Sequence, residues 1–426
     1  MKMPRLFQAL FCFALVLTIT IGCRSVKPAK PVIAARPVNL DVLSFLAKGD
    51  GVTKNTKAFQ AALDYCEAKG GGTVNVPKGY YLIGSIVIGP NTTLKLRDAN
   101  LIGSSDIEDY PLVRVRWEGE FRKGHRALIY SEKADNVSIT GPGSIFGPSL
   151  NLSRLRNPRG PALIELANGT NVTLNGFSTM YQQLWSIHLL FCKKVAVRNL
   201  LIRTINTNGD GIDVDSCDGV IIERCDINTG DDAISLKSGR GLAAMQLDRP
   251  TQNVLITNCV LASSIDAALG IGTEMSGGIR NVRMDNCYIS GRQNGIFIKS
   301  RDGRGGFMEN ITGANLTVNN SPTFLGIDLL KKGIQATDPV PGNVEKWALV
   351  KDISFSHVLL DNVQSFVMGT NIPPVRPLDG LTLTDITGKC SRGIILTNVI
   401  NAKFENIKVT GFKGPLFVTN SVQMAP

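Results

Sequence analysis

A short alternation recurs along the chain: apolar, any, apolar, any, then often Asn or Asp, then apolar or Cys. It reads Val137-Ser138-Ile139, Val172-Thr173-Leu174, Val195-Ala196-Val197, Val220-Ile221-Ile222, Val254-Leu255-Ile256, Val282-Arg283-Met284 and Ile353-Ser354-Phe355, then more weakly Leu381-Thr382-Leu383 and Ala402-Lys403-Phe404. The spacings between copies lie mostly in the twenties. Period-two alternation marks a strand with one buried face. Strands at this spacing predict an all-β fold, the stacked coils of a parallel β-helix, each about 4.8 Å from the last. Longer spacings predict loops on one face, the usual binding face. One segment, Lys54 to Lys69, reads instead as a helix. Asn55 or Thr56 would cap its start, Gly70-Gly71-Gly72 ends it, and Ala58, Ala61, Ala62 and Tyr65 form its apolar face. Placed before the first coil, it would cover an exposed sheet end.

Length alone, 426 residues, would suggest two or three domains. The 43 glycines and the repeat point to one extended unit instead. Residues 1–23 stand apart. Lys2 and Arg5 precede an apolar run from Leu6 to Ile21, too short and too early for a membrane span, which reads as an export signal. Gly22-Cys23 ends it in the manner of a bacterial lipobox with Cys23 lipidated, although Thr20 stands where such signals usually carry Leu; a plain cleaved signal is the alternative. Acyl chains on Cys23 would anchor the protein and not span the membrane. Residues 24–37, with three prolines, read as a tether, and 38–426 as the catalytic β-helix domain. The expected location is therefore the periplasm, the outer membrane or the exterior of a bacterium, with the protein a monomer.

Nine cysteines in an exported chain invite a disulfide framework. Cys225, Cys259 and Cys287, however, recur at one place in the repeat, which fits a stacked inner column of small hydrophobes better. The net charge of +11 becomes +9 once Lys2 and Arg5 leave with the signal. Such a surface would steer an anionic polymer towards it. Export and the lack of a binding motif disfavour nucleic acid.

The densest acidic region is N-T-N-G-D-G-I-D-V-D-S (206–216), followed by N-T-G-D-D-A-I-S-L-K-S-G (228–239). Asp210 and Asp232 are 22 residues apart, and so are the strands that follow them, Ile212 to Ser216 and Ile234 to Ser238. The two aspartates thus occupy equivalent places in successive coils, with Asp231 adjacent. Mutual repulsion should hold a proton on at least one of the three. A glycosidase needs this arrangement: one carboxylic acid protonates the leaving oxygen while a carboxylate activates water. A single Asp beside Gly would merely close a turn, but three on matching columns point to catalysis.

Four segments align: Ile212 to Ser216, Ile234 to Ser238, Leu269 to Thr273, and Ile296 to Ser300. Their inward residues are Ile or Val or Leu. Their outward ones are Asp213 and Asp215, Ser235 and Lys237, Gly270 and Gly272, Phe297 and Lys299. The glycines predict room for a ligand. Lys237 and Lys299 would hold a uronate carboxylate as point charges, or else neutralise the aspartates.

At these residues the chain resembles the polygalacturonases of glycoside hydrolase family 28, as a divergent bacterial member. The likeness runs over most of residues 40 to 420. It includes D-V-L-S-F-L-A-K-G-D-G-V-T-K-N-T-K-A-F-Q-A-A-L (41–63), G-G-G-T-V-N-V-P-K-G-Y-Y (70–81), the N-x-D and D-D motifs at Asp210 and Asp231-Asp232, I-G-T-E-M-S-G-G-I-R-N-V (271–282) and I-K-S-R-D-G-R-G-G (298–306). The resemblance implies a right-handed single-stranded parallel β-helix and inverting hydrolysis of a pectic polysaccharide without metal or other cofactor. It implies Asp231 as the acid, with Asp210 and Asp232 positioning and activating water. W-S-I-H (185–188) is also similar, which leaves His188 either a sugar contact or a packed histidine. Two departures matter. Ile265-Asp266-Ala267 replaces the family's G-H-G, and Phe297-Ile298-Lys299 replaces its R-I-K. The residues expected to touch substrate are thus Lys237, Lys299, Phe297, Asp266, His188 and Asp213. Phe297 would offer a sugar platform where an arginine would grip a carboxylate, which favours a rhamnogalacturonan-type backbone over plain homogalacturonan. Arg301, placed beside Glu274, reads as a surface ion pair. A β-helix polysaccharide lyase and a non-catalytic glycan-binding surface protein stay open as alternatives.

Overall fold

The computed structural model describes residues 37–148, 157–182, 184–332, 340, 342 and 344–426. The leader, Cys23 and the tether up to residue 36 lie outside them. Among the described residues the chain is a right-handed parallel β-helix, with parallel strand pairing throughout except in one hairpin. A typical coil holds three short strands, such as Ile187–Leu190, Lys193–Arg198 and Leu201–Arg203. Each pairs in register with its counterpart one coil back.

The alternation predicts the core. Val172, Val195, Val220, Val254, Val282, Ile353 and Leu381 form one inward column, each at most 2% exposed. Each such side chain contributes about 1.5–3 kcal/mol by leaving water. The long gap between Val282 and Ile353 holds a coil that the pattern did not reveal, with Ile311 paired to both. Here Gly313 takes the second inward place, because a Cβ there would meet the Phe355 ring at 2.5 Å. The neighbouring aromatic fills the gap, so the alternation is lost in sequence and kept in volume.

Within the strands Thr251–Thr257, Ile279–Gly291 and Phe307–Asn319, Asn253, Asn281 and Asn310 adopt left-handed backbone (φ between 52° and 57°), a conformation Asn tolerates well. Their amides form a ladder, Asn310 to Asn281 at 2.8 Å and Asn281 to Asn253 at 3.1 Å. The cysteines behave as expected. Cys225, Cys259 and Cys287 are buried free thiols in mutual contact along the inner column.

The predicted helix spans Thr56–Ala68 (α1), but its buried face is Phe59, Ala62, Leu63 and Cys66, while Tyr65 is exposed. The reason is packing: Phe59 meets the Tyr81 ring edge-on at 5.4 Å, which turns the helix by about one position from the alanine face. Two further elements escape the pattern. A short helix, Gly241–Leu247 (α2), follows the Ile234–Lys237 strand. An antiparallel hairpin, Leu112–Trp117 with Glu120–His125, leaves the helix body.

Candidate active site

The site lies on the wall formed by the strands Ile164–Ala167, Ile187–Leu190, Ile212–Asp215, Ile234–Lys237, Ala267–Ile271, Asn294–Lys299 and Thr323–Asp328. Register places Glu165, His188, Asp213, Ser235, Gly270, Phe297 and Gly326 in one outward column. The predicted alignment of the four central segments is therefore the observed one.

Asp210 and Asp232 stand two residues before the paired Ile212 and Ile234, one coil apart. The Gly211 amide donates to the Asp232 carbonyl at 3.0 Å, which locks the two turns together. Glycine is required at 230, where a Cβ would lie 2.2 Å from the Asn206 carbonyl oxygen. All three aspartates line one cleft of about 150 Å³. Asp231 is half-buried and accepts hydrogen bonds from the Asn208 amide at 2.9 Å and the Asp232 amide at 3.1 Å. Asp210 and Asp232 are 4% and 3% exposed. Burial, reinforced by Asp213 and the other two aspartates against the pull of Lys237, holds the Asp210 carboxyl well above its usual range. Burial likewise pushes Asp232 up to about 6, with Asp266 and Asp231 adding to the shift and Lys299 opposing it.

Two lysines brace this acid cluster. Lys237 Nζ lies 3.0 Å from Asp213 Oδ1, 3.4 Å from Asp210 Oδ2 and 3.7 Å from Glu274 Oε1. Lys299 Nζ lies 2.9 Å from Asp232 Oδ2 and 3.0 Å from Asp266 Oδ2. Both lysines keep their proton more firmly than usual because these carboxylates outweigh burial. They make the neutralising contacts expected of them, and both also line the cleft. Asp231, Asp232 and Asp266 each bring an oxygen within 4.8 Å of the others, a grouping that could hold a cation; Lys299 already supplies a positive charge there.

Several expectations need correction. His188 and Asp213 are fully buried and leave no surface for a sugar to touch. His188 Nδ1 lies 3.1 Å from Glu165 Oε2, and its Nε2 lies 3.7 Å from Asp215 Oδ2. Burial would strip its proton, but these two carboxylates prevail and push its pKa up to about 9. Phe297 is 6% exposed and its ring packs beside Gly326, so it is no open platform. Gly270 does not make room for ligand: a Cβ there would stand 2.2 Å from Asp232 Oδ2. Asp231 and Asp232, adjacent in one turn, bring their nearest oxygens within 4.8 Å, an atom-to-atom approach and not the separation of roughly 6.5–9.5 Å between acid and base carboxyl groups expected for inversion. Among the described residues, no carboxylate pairs with Arg301; Glu274, its expected partner, faces Lys237.

The hairpin adds to the cover of this wall. It lays Arg116 Nε 3.1 Å from Asp215 Oδ2 and brings Trp117 and Glu118 to the cleft. Arg159 is clamped between the Trp117 and Trp185 rings, 5.1 and 4.3 Å from their centroids. The strand pattern gave no sign of this cover. Trp185 alone was within reach, as part of W-S-I-H.

Residues 66–368 match the profile of the Glycosyl hydrolases family 28. A probable polygalacturonase of Vitis vinifera is 27% identical over 381 residues, covering 83% of this chain and 75% of that protein. The solved exopolygalacturonase of Thermotoga maritima shares the fold with a TM-score of 0.79 at 24% identity, over 88% of this chain and 92% of that one. The family 28 exopolygalacturonase of Yersinia enterocolitica follows with 0.75 at 20% identity, over 90% and 77%. With a family match across most of the chain and a β-helix that seats three aspartates in one cleft, this protein belongs to the glycosyl hydrolases of family 28.

Proposed function

We propose that this glycoside hydrolase is an exported enzyme that cleaves a galacturonate-containing pectic polysaccharide or oligosaccharide with inversion. The observation that carries the reading is the triad: Asp210 and Asp232 one coil apart, with Asp231 lining the same cleft. Asp231, the most accessible of the three, protonates the glycosidic oxygen. Asp232 takes a proton from water, and Asp210, whose carboxyl burial holds well above its usual range, orients that water. The polygalacturonase names among the relatives support the pectic substrate. The absence of arginine at position 297 supports a rhamnogalacturonan-type backbone, in which acidic and less acidic sugars alternate.

One observation favours a second reading, retention. The short Asp231–Asp232 approach resembles the spacing of retaining enzymes. Against it, Asp232 already accepts from Lys299, from Ser235 Oγ at 3.3 Å and from the Ala267 amide at 3.2 Å, which blunts it as a nucleophile. Proton NMR of the first product on a panel of pectic oligosaccharides decides. We expect the anomer opposite to the substrate's; a retained anomer rejects the water mechanism, and no cleavage of any galacturonate oligomer rejects the function.

The pH dependence follows from the same roles. A base must be ionised, so kcat/KM should rise as pH climbs through about 6, the value to which Asp232 is pushed. A profile that falls across this range would give Asp232 the acid's role and Asp231 the base's.

A further inference from the structure

Behind the cleft lies a cation that the reaction as read above does not use. Arg159 is 2% exposed, and among the described residues no carboxylate oxygen lies within 4.0 Å of it. Its Nε and Nη2 are buried without a hydrogen-bond acceptor. Burial pushes its pKa down to about 10, against the through-space pull of Glu165, Asp213, Asp210 and Glu274. In place of ion partners the guanidinium has rings, with the centroids of Trp117 and Trp185 at 5.1 and 4.3 Å. These two indoles, with Ala127 and Ala162, form a small apolar cluster separate from the main core. A charge among such neighbours is costly to keep. Filling the space would need only an uncharged side chain of similar length, so packing alone does not explain an arginine here.

The contacts of this guanidinium lead to the reacting groups. Trp117 ends the Leu112–Trp117 strand of the hairpin, Trp185 stands two residues before the Ile187–Leu190 strand, and both line the cleft. The His125 amide donates to the Arg159 carbonyl at 2.8 Å, which fastens the other strand of the hairpin to the same residue. Lys237 Nζ lies 4.2 Å from the centroid of the same Trp185 ring and 3.4 Å from Asp210 Oδ2. Contacts therefore run without a break from the hairpin through Trp117, Arg159, Trp185 and Lys237 to Asp210. We propose that Arg159 is a positioning residue for the hydrolysis: it fixes the two indoles against each other and, through the Trp185 ring, holds the Lys237 ammonium and with it the Asp210 carboxyl. It touches no substrate. Cation–ring contacts strengthen when they are desolvated, as this one is, and a displacement of about 1 Å at a reacting centre lowers a rate by up to about 10²-fold. This role rests on Asp210 serving the hydrolysis proposed above.

Steady-state kinetics of the full chain on galacturonate oligomers test it. Arg159→Met keeps the length and removes the charge; it should lower kcat about ten-fold or more and change KM less than about two-fold. Arg159→Lys, which keeps a cation between the rings, should recover kcat to within about three-fold of the wild type. In a Trp185→Leu background, Arg159→Met should cost nothing further, because the ring through which it acts is gone. A raised KM with unchanged kcat would make Arg159 a substrate-binding residue and overturn the proposal. So would equal losses in the Met and Lys variants, which would mark a packing role, or losses that multiply in the double variant. Thermal denaturation checks folding; if Arg159→Met is unfolded, Arg159→Gln replaces it, and if neither folds the residue is structural and the proposal falls. A wild type that cleaves no galacturonate oligomer rejects the pectic reading and this role with it. An active wild type whose Arg159→Met variant keeps its kcat rejects this role alone.

Discussion

Asparagine in place of Asp231 is expected to lower kcat by about 10²–10⁴-fold, the usual contribution of a positioned proton donor. The same is expected of Asp210→Asn and Asp232→Asn. Stability should not follow activity. Asp210 and Asp232 are buried carboxyls whose ionised form is disfavoured, so a neutral isostere relieves that strain. Their lysines keep other partners: Lys237 retains Asp213 and Glu274, and Lys299 retains Asp266. At pH 7 the midpoint of thermal unfolding should stay level or rise. Asp231 is half-exposed, so its loss should leave the midpoint nearly unchanged. Steady-state kinetics and thermal denaturation of the three variants give the answer. Near-normal kcat in any two of them would remove the triad from the mechanism and revive the glycan-binding alternative.

Replacing Lys237 with methionine should do the reverse and damage the fold. The lysine is 6% exposed and lies among Asp210, Asp213 and Glu274, with its ammonium 4.2 Å from the Trp185 ring centroid. Removing it strands buried carboxylates, a change that costs roughly 3–5 kcal/mol. The sign of the pH effect is fixed by the carboxyls. Burial raises both Asp210 and Asp213 above their unfolded values, so folding favours their protonated forms. The stability they contribute is complete below the ordinary carboxylate range and is lost as pH rises through their folded values. Without Lys237 those values climb further. The variant should therefore lose most at neutral pH and much less near pH 4, where both groups carry protons. Chemical denaturation at the two pH values measures this. An equal loss at both would mean that Lys237 acts through its hydrocarbon stem and the Trp185 contact, not its charge.

Much of the fold was legible because a repeat writes its inner face over and over. Val172, Val195, Val220 and Val254 recur at strand spacing, and parallel stacking lets each register be read from the last. The coil at Ile311 was hidden because Phe355 fills the place left by Gly313, and pairwise compensation of volume leaves no mark on a single strand. The face of α1 was misread for a similar reason. Alanines fit either side of a helix, and the Phe59–Tyr81 contact chose between them.

For the site, the sequence by itself determined where Asp210, Asp231 and Asp232 stand, since the paired Ile212 and Ile234 set their offset one coil apart. It also determined which residues point outward on that wall. It did not determine which outward residues meet solvent. His188 and Asp213 read as candidates for sugar contact, yet both are buried, His188 against the Trp185 ring and Asp213 against Lys237. Nor could it say which cations the protein itself neutralises. Lys299 is engaged by Asp232 and Asp266, whereas Arg301, two residues on, is not. The physical reason is the same in both cases. The inner column is encoded locally by alternation, because every coil must bury the same face against its neighbours. The outer face carries no repeat, and its burial and charge pairing depend on the hairpin Leu112–His125 and on turns brought there from distant parts of the chain, which only the tertiary structure decides.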